Sequence, residues 1–394
     1  MRILMTTRPV GGHFNPLVPL AGALVADGHE VAFACASSFH PVVEAAGFRA
    51  FPAGFAWQPG QAPLDLFPQV QTVPVHQRRM WVFSHVFVDF EARQMVPDLL
   101  AIARSWEPDV IVREAQEFGG PVAAEVLGIP HAIVRAATWD YSERLAIAAA
   151  LDELRVQHGL PPDPAVEMLY RYLFLNAEPP GFHPADAPLP PTAHPIRPVV
   201  FDNAHAATLP TWVGDLPDRP TVYATLGTVF NRRTEIFAAI IEVLRDERVN
   251  LIVTVGRDQD PAQFGAQPSN VHIERYVPQS LLLPRCDLVI THGGWNTTVA
   301  LLAHGLPAVF IPLGADMPIN ARRCAALGLG GVVEPSACTP AAIRDGVGAI
   351  LSDPSYRARA ARMREDMAAL PGPAFAVELV ERLAKDKTPI IAPR

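Results

Sequence analysis

Short apolar runs alternate with amphipathic segments along both halves of the chain. The first run, Arg2–Thr7, is followed by a polar loop, an amphipathic segment over residues 17–27 and a second apolar run over residues 30–34. Short apolar runs bounded by loops are typical of buried parallel strands, and a period near 3.6 residues predicts helices that cover them. The pattern therefore predicts a parallel sheet with helices on both faces.

A proline-rich stretch over residues 179–220 separates two rounds of this alternation. Proline disfavours both helix interiors and central strands, so regular structure is expected to break there. Two doubly wound, Rossmann-like domains would place the carboxyl ends of both sheets at a central cleft, where open α/β sheets bind ligands. The predicted divisions are an N-terminal domain over residues 1–200, a linker over 201–219, a second domain over 220–373, and a last helix and tail over 374–394 that cross back to the first domain.

Composition narrows the class of protein. The 394 residues are 49% hydrophobic and 18% charged, which suits a well-packed soluble protein of two domains. A net charge of −8 with dispersed basic residues argues against nucleic-acid partners and against anionic membranes. Signal-peptide and membrane-spanning patterns are missing, so a cytoplasmic protein is expected. Because the cysteines are scattered, we expect reduced packing residues, with no disulfide and no metal site.

The segment His292–Thr298 carries the clearest candidate chemistry. It follows an apolar strand and leads into a helix, with Gly293 and Gly294 at the turn. Glycines let the backbone approach a ligand closely, and a helix N-terminus offers free N–H groups and a positive dipole end to a phosphate. The turn could also be purely structural, but histidine, asparagine and threonine add donors that such a turn does not need. A nucleotide or another phosphorylated ligand is predicted here.

Motifs in both halves resemble those of the GT-B glycosyltransferases of family 1, most closely the bacterial enzymes that glycosylate antibiotics and related natural products. The matching segments occur in family order over nearly the whole chain: residues 12–16, 225–228, 276–279, 292–298, 314–316 and Asn320. The resemblance implies a GT-B fold and transfer of a sugar, with inversion, from a nucleoside-diphosphate donor to a small-molecule acceptor. No metal or other cofactor is implied, because preorganised donors would stabilise the departing diphosphate.

The resemblance also implies roles for individual residues. Gly293 and Gly294 would hold the diphosphate, Val277 and Gln279 would frame the base, and Asp316 would meet sugar hydroxyls. Further hydrogen bonds to the donor are expected from His292, Asn296, Thr297 and Thr228.

His13 is the candidate general base, because a neutral imidazole can take the proton of an attacking hydroxyl. A carboxylate behind its other nitrogen would fix the tautomer. Family members usually have an aspartate after the strand that corresponds to Val110–Val112, whereas this chain has glutamates. Glu114 is preferred for this role, and Glu117, or no carboxylate at all, remain alternatives.

Two positions depart from the family pattern. Ala300 replaces a glutamate that often binds ribose hydroxyls, and Met317 replaces a glutamine that often binds a hexose. Fewer polar partners suit a ligand with fewer hydroxyls. We therefore expect a thymidine-diphosphate donor that carries a deoxysugar.

The acceptor has no comparable signature. Large side chains between residues 51 and 90, together with one from a later loop, are expected to form an apolar pocket for a polyketide or aromatic aglycone. The candidates are Phe55, Trp57, Met80, Trp81, Phe83 and Trp139. Any single one of them could instead be a core residue.

Other interpretations stay open at this point. An epimerase or hydrolase of nucleotide sugars can use the same fold, and a non-catalytic partner of a transferase can retain it. Asp258-Gln259-Asp260 matches a metal-binding motif of another glycosyltransferase fold, but its position favours a solvated loop. Monomer and homodimer are both compatible with the sequence.

Overall fold

The computed structural model describes residues 1–57, 63–135, 141–184, 186–202 and 208–393. The chain folds as two compact units. The first contains residues 1–178, 183–201 and 370–394, and the second contains residues 179–182 and 202–369. None of the helices among these residues is both long and apolar enough to cross a membrane.

The first unit is a seven-stranded parallel sheet with the order β3-β2-β1-β4-β5-β6-β7. Its strands are β1 (Arg2–Thr6), β2 (Glu30–Cys35), β3 (Arg49–Pro52), β4 (Val110–Glu114), β5 (His131–Arg135), β6 (Leu173–Asn176) and β7 (Ala193–Pro195). Its helices are α1 (Gly11–Phe14), α2 (Val18–Ala26), α3 (His40–Ala45), α4 (Pro63–Leu66), α5 (Val75–Val82), α6 (Arg93–Trp106), α7 (Gly119–Leu127) and α8 (Ala148–Gln157), with a π-helix over Phe83–Ala92.

Alternate side chains of these strands pack on opposite faces of the sheet. Leu4 of β1 joins the core that contains the π-helix and α6, whereas Ile3 and Met5 join the core beneath α2. β7 follows several prolines and lies at the edge of the sheet, where a missing backbone donor costs least. Part of the proline-rich stretch therefore completes the first sheet.

The second unit is a six-stranded parallel sheet with the order β10-β9-β8-β11-β12-β13. Its strands are β8 (Thr221–Thr225), β9 (Asn250–Thr254), β10 (Val271–Glu274), β11 (Leu288–Thr291), β12 (Ala308–Phe310) and β13 (Gly330–Val332). Its helices are α9 (Thr234–Leu244), α10 (Gln279–Leu282), α11 (Trp295–Ala303), α12 (Met317–Ala326), α13 (Pro340–Ser352) and α14 (Pro354–Ala368).

The last helix, α15 (Pro373–Asp386), belongs to the first unit and packs on α2. Its buried Val377, Val380 and Leu383 join the core beneath α2. The predicted doubly wound class is confirmed, because both strand orders begin 3-2-1-4-5 from their own first strands. In such a sheet, the loops that leave the carboxyl ends of the two central strands are neighbours.

Gly330 leaves room for the pairing of β12 with β13. A Cβ atom at this residue would lie 2.0 Å from the carbonyl oxygen of Ala308, which is backbone and cannot turn away. A Cβ atom at the adjacent Gly331 would meet no atom within 4 Å. We expect Gly330→Ala to lower the free energy of unfolding by roughly 1–3 kcal/mol, as overpacking does.

Gly331→Ala is the matched control and should stay near wild type. Urea denaturation of both variants measures the difference. Equal stability of the two would contradict the described register at this edge of the sheet.

Candidate active site

The pairing of β1 with β4 brings His13 to Glu114. Thr6 pairs with Arg113, so the loop after β1 and the loop after β4 leave the sheet side by side. His13 lies in α1, directly after the first loop, and Glu114 is the last residue of β4. Nδ1 of His13 is 3.0 Å from Oε1 of Glu114. This oxygen has no other polar partner among the described residues.

The surroundings of Glu114 favour its ionised form. Burial alone would raise the pKa of this carboxyl. The charge and hydrogen bonding of His13, the backbone N–H of Gln116 and the charge of Arg8 outweigh burial, and the pKa is lowered overall. The Gln116 N–H donates to Oε2 at 2.7 Å. A carboxylate is therefore held against one nitrogen of the His13 ring, which orients the ring.

Glu117, the alternative partner for His13, has another task. Its Oε1 accepts hydrogen bonds from the N–H groups of Gly119 at 2.5 Å and Gly120 at 2.9 Å, and Thr6 donates its hydroxyl to Oε2. Burial, the largest influence, raises its pKa. Glu117 thus holds the first turn of α7, and the structure brings Glu114 to His13.

Arg113, which sequence reasoning missed, shapes the loop that carries these carboxylates. Its side chain is fully buried, and Nη1 donates to the carbonyl oxygens of Glu114, Ala115 and Glu117 at 3.0–3.2 Å. Nη2 donates to the carbonyl oxygen of Leu169 at 3.1 Å. A charged residue within an apolar strand was the available signal, since arginine is almost never fully buried without partners.

A recess adjoins the loop after β1. Phe55 and Trp57, two of the predicted acceptor residues, line it together with Arg8, Phe87, Glu91 and Met95. Met80, Trp81 and Phe83 do not line this recess. Phe83 is buried in the core, and Met80 and Trp81 pack against that core from α5. Trp139 lies outside the described residues.

His292 follows β11 in the second unit, and its ring fills space that two glycines leave. A Cβ atom at Gly227 would lie 2.6 Å from its Nε2, and a Cβ atom at Gly294 would lie 2.5 Å from the same atom. The Thr291 hydroxyl is 3.2 Å from Nδ1. Burial lowers the pKa of His292 to about 4, so the ring is neutral at pH 7. A neutral ring retains one N–H to donate to a ligand.

Asn320 fixes the turn at the start of α11. Its Nδ2 donates to the carbonyl oxygen of Gly293 and to Oδ2 of Asp316, both at 2.9 Å. Gly293 has a φ of +84°, which L-residues with a side chain rarely adopt. These bonds join α12 to the glycine turn, and they place Asp316 beside it.

The other predicted donor residues lie on three segments of this unit. Gln279 begins α10, and its Nε2 donates to the Thr297 hydroxyl at 3.4 Å. Val277 is buried just before α10, and Asn296 is half-buried in the first turn of α11. Thr228 is exposed in the loop after β8, and β8 pairs with β11. The carboxyl edge of β8 and β11 thus gathers most of the candidates.

Asp258 and Asp260 lie in the loop after β9. Asp260 accepts from the backbone N–H of Ala262 at 3.4 Å and from Nη2 of Arg275 at 3.2 Å. The carboxylate thus caps the short 3₁₀ helix Pro261–Phe264 and pairs with an arginine. Asp260 therefore stabilises the loop after β9.

Two family models together match most of the chain. The N-terminal domain of the erythromycin biosynthesis protein CIII-like family matches residues 22–227, and the C-terminal domain of that family matches residues 238–384. The first match alone covers more than half of the chain. This protein belongs to the family 1 natural-product glycosyltransferases.

Several characterised relatives align over nearly the full length of this glycosyltransferase. The 4'-demethylrebeccamycin synthase of Lentzea aerocolonigenes is 30% identical, over 97% of this chain and 99% of its own. The 10-deoxymethynolide desosaminyltransferase of Streptomyces venezuelae is also 30% identical, over 98% of this chain and 97% of its own. The crystal structure of the glycosyltransferase VinC in complex with dTDP superimposes with a TM-score of 0.81, at 26% identity, and covers 98% and 100% of the two chains. The predicted GT-B fold is confirmed.

Both departures from the family pattern are buried in this glycosyltransferase. Ala300 is 2% exposed on α11, and Met317 is 4% exposed at the start of α12. A Cβ atom at Gly293 would lie 3.4 Å from the carbonyl oxygen of Met317, so this residue packs beneath the glycine turn. Both positions therefore hold apolar, buried side chains.

Because His292 is buried in its neutral form, we predict that the free energy of unfolding depends on pH. Its pKa is about 4 in the folded protein and about 6.5 in the unfolded chain, so the unfolded chain takes up the proton first as the pH falls. This residue's contribution is complete above about pH 6.5 and is lost progressively towards pH 4. At pH 4.5 we expect the loss to reach roughly 2.5 kcal/mol.

Urea denaturation of wild type and His292→Asn between pH 7.5 and 4.5 tests this. As the pH falls, the unfolding free energy of the wild type should decrease relative to that of the variant. Parallel curves would show that His292 does not titrate in this way.

Proposed function

We propose that this chain is an inverting glycosyltransferase that moves a deoxysugar from a thymidine-diphosphate donor to a hydrophobic natural-product acceptor, with His13 as the general base. The observation that carries this proposal is the contact between Nδ1 of His13 and the buried carboxylate of Glu114. A carboxylate at Nδ1 keeps the proton on that nitrogen and leaves Nε2 to accept one. The same division of roles operates in other histidine bases.

The chemistry follows from that arrangement. As the acceptor oxygen attacks the anomeric carbon, its proton passes to Nε2 of His13, and Glu114 stabilises the imidazolium that forms. The bond between the anomeric carbon and the diphosphate breaks on the opposite face, which inverts the configuration. The catalytic base therefore belongs to the first unit.

In the second unit, the N-terminus of α11 would receive the diphosphate. The N–H groups of Gly294 and the following residues are free of helical partners, as in the first turn of any helix. Neutral His292 and the side chains of Asn296 and Thr297 would add donors without a metal ion. The crystal structure of VinC, which contains dTDP, supports a thymidine nucleotide as the ligand.

The acceptor would occupy the recess that Phe55 and Trp57 line. Its walls combine aromatic side chains with the paired charges of Arg8 and Glu91, which suits a largely apolar, uncharged aglycone. Two relatives, the 10-deoxymethynolide desosaminyltransferase and the 4'-demethylrebeccamycin synthase, support a natural-product aglycone by their names.

Replacement of His13 by alanine tests the base. Loss of the proton acceptor should lower kcat by roughly 100- to 10,000-fold, and the affinity for thymidine diphosphate should stay within about twofold. Glu114→Gln should lose less, because an amide oxygen still accepts from Nδ1–H. Steady-state kinetics with a panel of hydroxylated aromatic and macrolide aglycones provides the measurement.

His29→Ala is the matched control. His29 pairs with Glu381 at 2.9 Å. It directly precedes β2, at the amino ends of the strands, whereas His13 and Glu114 lie at the carboxyl ends. It should retain wild-type turnover. A His13→Ala enzyme with wild-type turnover would refute the proposed base.

The donor class is tested with one sugar on two nucleotides. Because Ala300 provides no carboxylate for ribose hydroxyls, we expect kcat/KM to be at least about tenfold higher for a thymidine-diphosphate deoxysugar than for its uridine counterpart. A preference for a uridine-diphosphate hexose would contradict this assignment.

A further inference from the structure

Arg8 lies beside Nε2 of His13, the nitrogen that would take the acceptor's proton in the proposed reaction. Its guanidinium uses one edge for Glu91, with Nε 2.5 Å from Oε2 and Nη2 3.0 Å from Oε1. Its carbon Cζ lies 3.5 Å from the centroid of the Phe87 ring. The remaining nitrogen, Nη1, lies 3.2 Å from Nε2 of His13. One arginine thus joins the candidate base to the wall of the recess.

The position of Arg8 is fixed from several directions. Glu91 and Phe87 lie four residues apart on the π-helix, and so on one face of it. The indole N–H of Trp57 donates to Oε1 of Glu91 at 3.0 Å and holds the carboxylate in place. Arg8 and Glu91 are both 9% exposed. A bidentate, buried pair of this kind has a defined geometry.

The contact has a consequence for the protons of His13. A guanidinium only donates, because it does not lose its charge in proteins. Nε2 of His13 must therefore accept, and the ring proton of a neutral His13 must be on Nδ1, which faces Glu114. Arg8 and Glu114 thus require the same tautomer from opposite sides of the ring.

We propose that Arg8 is a positioning residue for His13: it holds the ring in the Nδ1–H tautomer while the recess is empty, and it yields Nε2 to the hydroxyl of the acceptor. This inference rests on the proposed role of His13 as the base. The acceptor O–H bond breaks, its proton forms a bond with Nε2, and the oxygen electron pair forms the bond to the anomeric carbon. The electron pair of the bond from that carbon to the leaving oxygen departs with the nucleoside diphosphate.

Arg8 and the protonated ring exclude each other at close range. After transfer, Nε2–H and Nη1–H are both donors, so the resting contact cannot reform until the proton leaves His13. Glu91 retains the other edge of the guanidinium, so Arg8 stays at the wall of the recess when Nη1 gives up its contact with Nε2. Removing Arg8 should therefore lower kcat through a misplaced base, without raising the acceptor KM.

The tautomer can be measured without knowing the acceptor. Full-length protein labelled with ¹⁵N-histidine gives ring nitrogen shifts that separate the two neutral tautomers, and His13→Gln assigns the signals. In wild type the Nδ1–H form should dominate. Because the carboxylate of Glu114 by itself favours Nδ1–H, the variants are compared in a Glu114→Gln background, where the amide can either accept from Nδ1–H or donate to Nδ1. In that background Arg8→Met, which retains length but has no donor, should populate the Nε2–H form, and Arg8→Lys should restore most of the Nδ1–H form.

Arg93→Met is the matched control, because Arg93 pairs with Asp89 near the same helix and is partly exposed. It should leave the tautomer ratio and turnover unchanged. In Arg8→Met, kcat should fall about tenfold, as for other residues that orient a catalytic histidine, while the affinity for thymidine diphosphate is unchanged. If Arg8→Met does not fold, Glu91→Gln, which removes the charged partner of Arg8, provides the same two measurements.

The outcomes separate this inference from the proposed function. An unchanged tautomer ratio when Arg8→Met or Glu91→Gln is added to Glu114→Gln overturns the role of Arg8, even if His13→Ala is inactive. Wild-type turnover of His13→Ala overturns the base, whatever the ratio. A shifted ratio together with reduced kcat supports both, and a reduced kcat with an unchanged ratio assigns Arg8 a merely structural role.

Discussion

The pairing of β1 with β4 is the interaction on which the candidate active site depends. Parallel pairing of Thr6 with Arg113 brings together two loops that are far apart in the sequence. Arg8 and His13 follow β1, whereas Glu114 ends β4 and Glu117 lies in the loop after it. The fully buried Arg113 then fixes the second loop through three backbone carbonyl groups. Backbone pairing thus brings these side chains close together, and the buried Arg113 fixes the conformation of the loop after β4.

In the second unit, a buried histidine is kept neutral beside a glycine turn. Gly227 and Gly294 leave space that the ring of His292 fills, and burial keeps the pKa of this ring low. A neutral ring adds a donor without adding a charge that must itself be desolvated. The first unit does the opposite, because the buried carboxylate of Glu114 stays ionised through its own partners. His13 and His292 thus have surroundings of opposite electrostatic character.

Much of the fold could be predicted from the sequence, and parts of the site could not. Buried parallel strands leave continuous apolar runs, so the first two strands were predicted within one residue of their observed bounds, Arg2–Thr6 and Glu30–Cys35. Glu114 was preferred over Glu117, but the alternative stayed open, because both lie close to the end of β4 and only the turn at Gly119 and Gly120 separates their roles. The pair of Arg8 with Glu91 was missed for a related reason. It joins a loop to a distant π-helix, and hydrophobic periodicity does not reveal a register of that kind.

The central claim is that the second unit binds a nucleoside diphosphate through the turn after β11. A crystal structure of the full chain with thymidine diphosphate tests it most directly. We predict electron density for the diphosphate against the N–H groups at the start of α11, within hydrogen-bonding distance of the His292 ring, with the base near Val277 and Gln279. Density for the nucleotide at the Gly11-Gly12 loop of the first unit, with none at the turn after β11, would contradict the account.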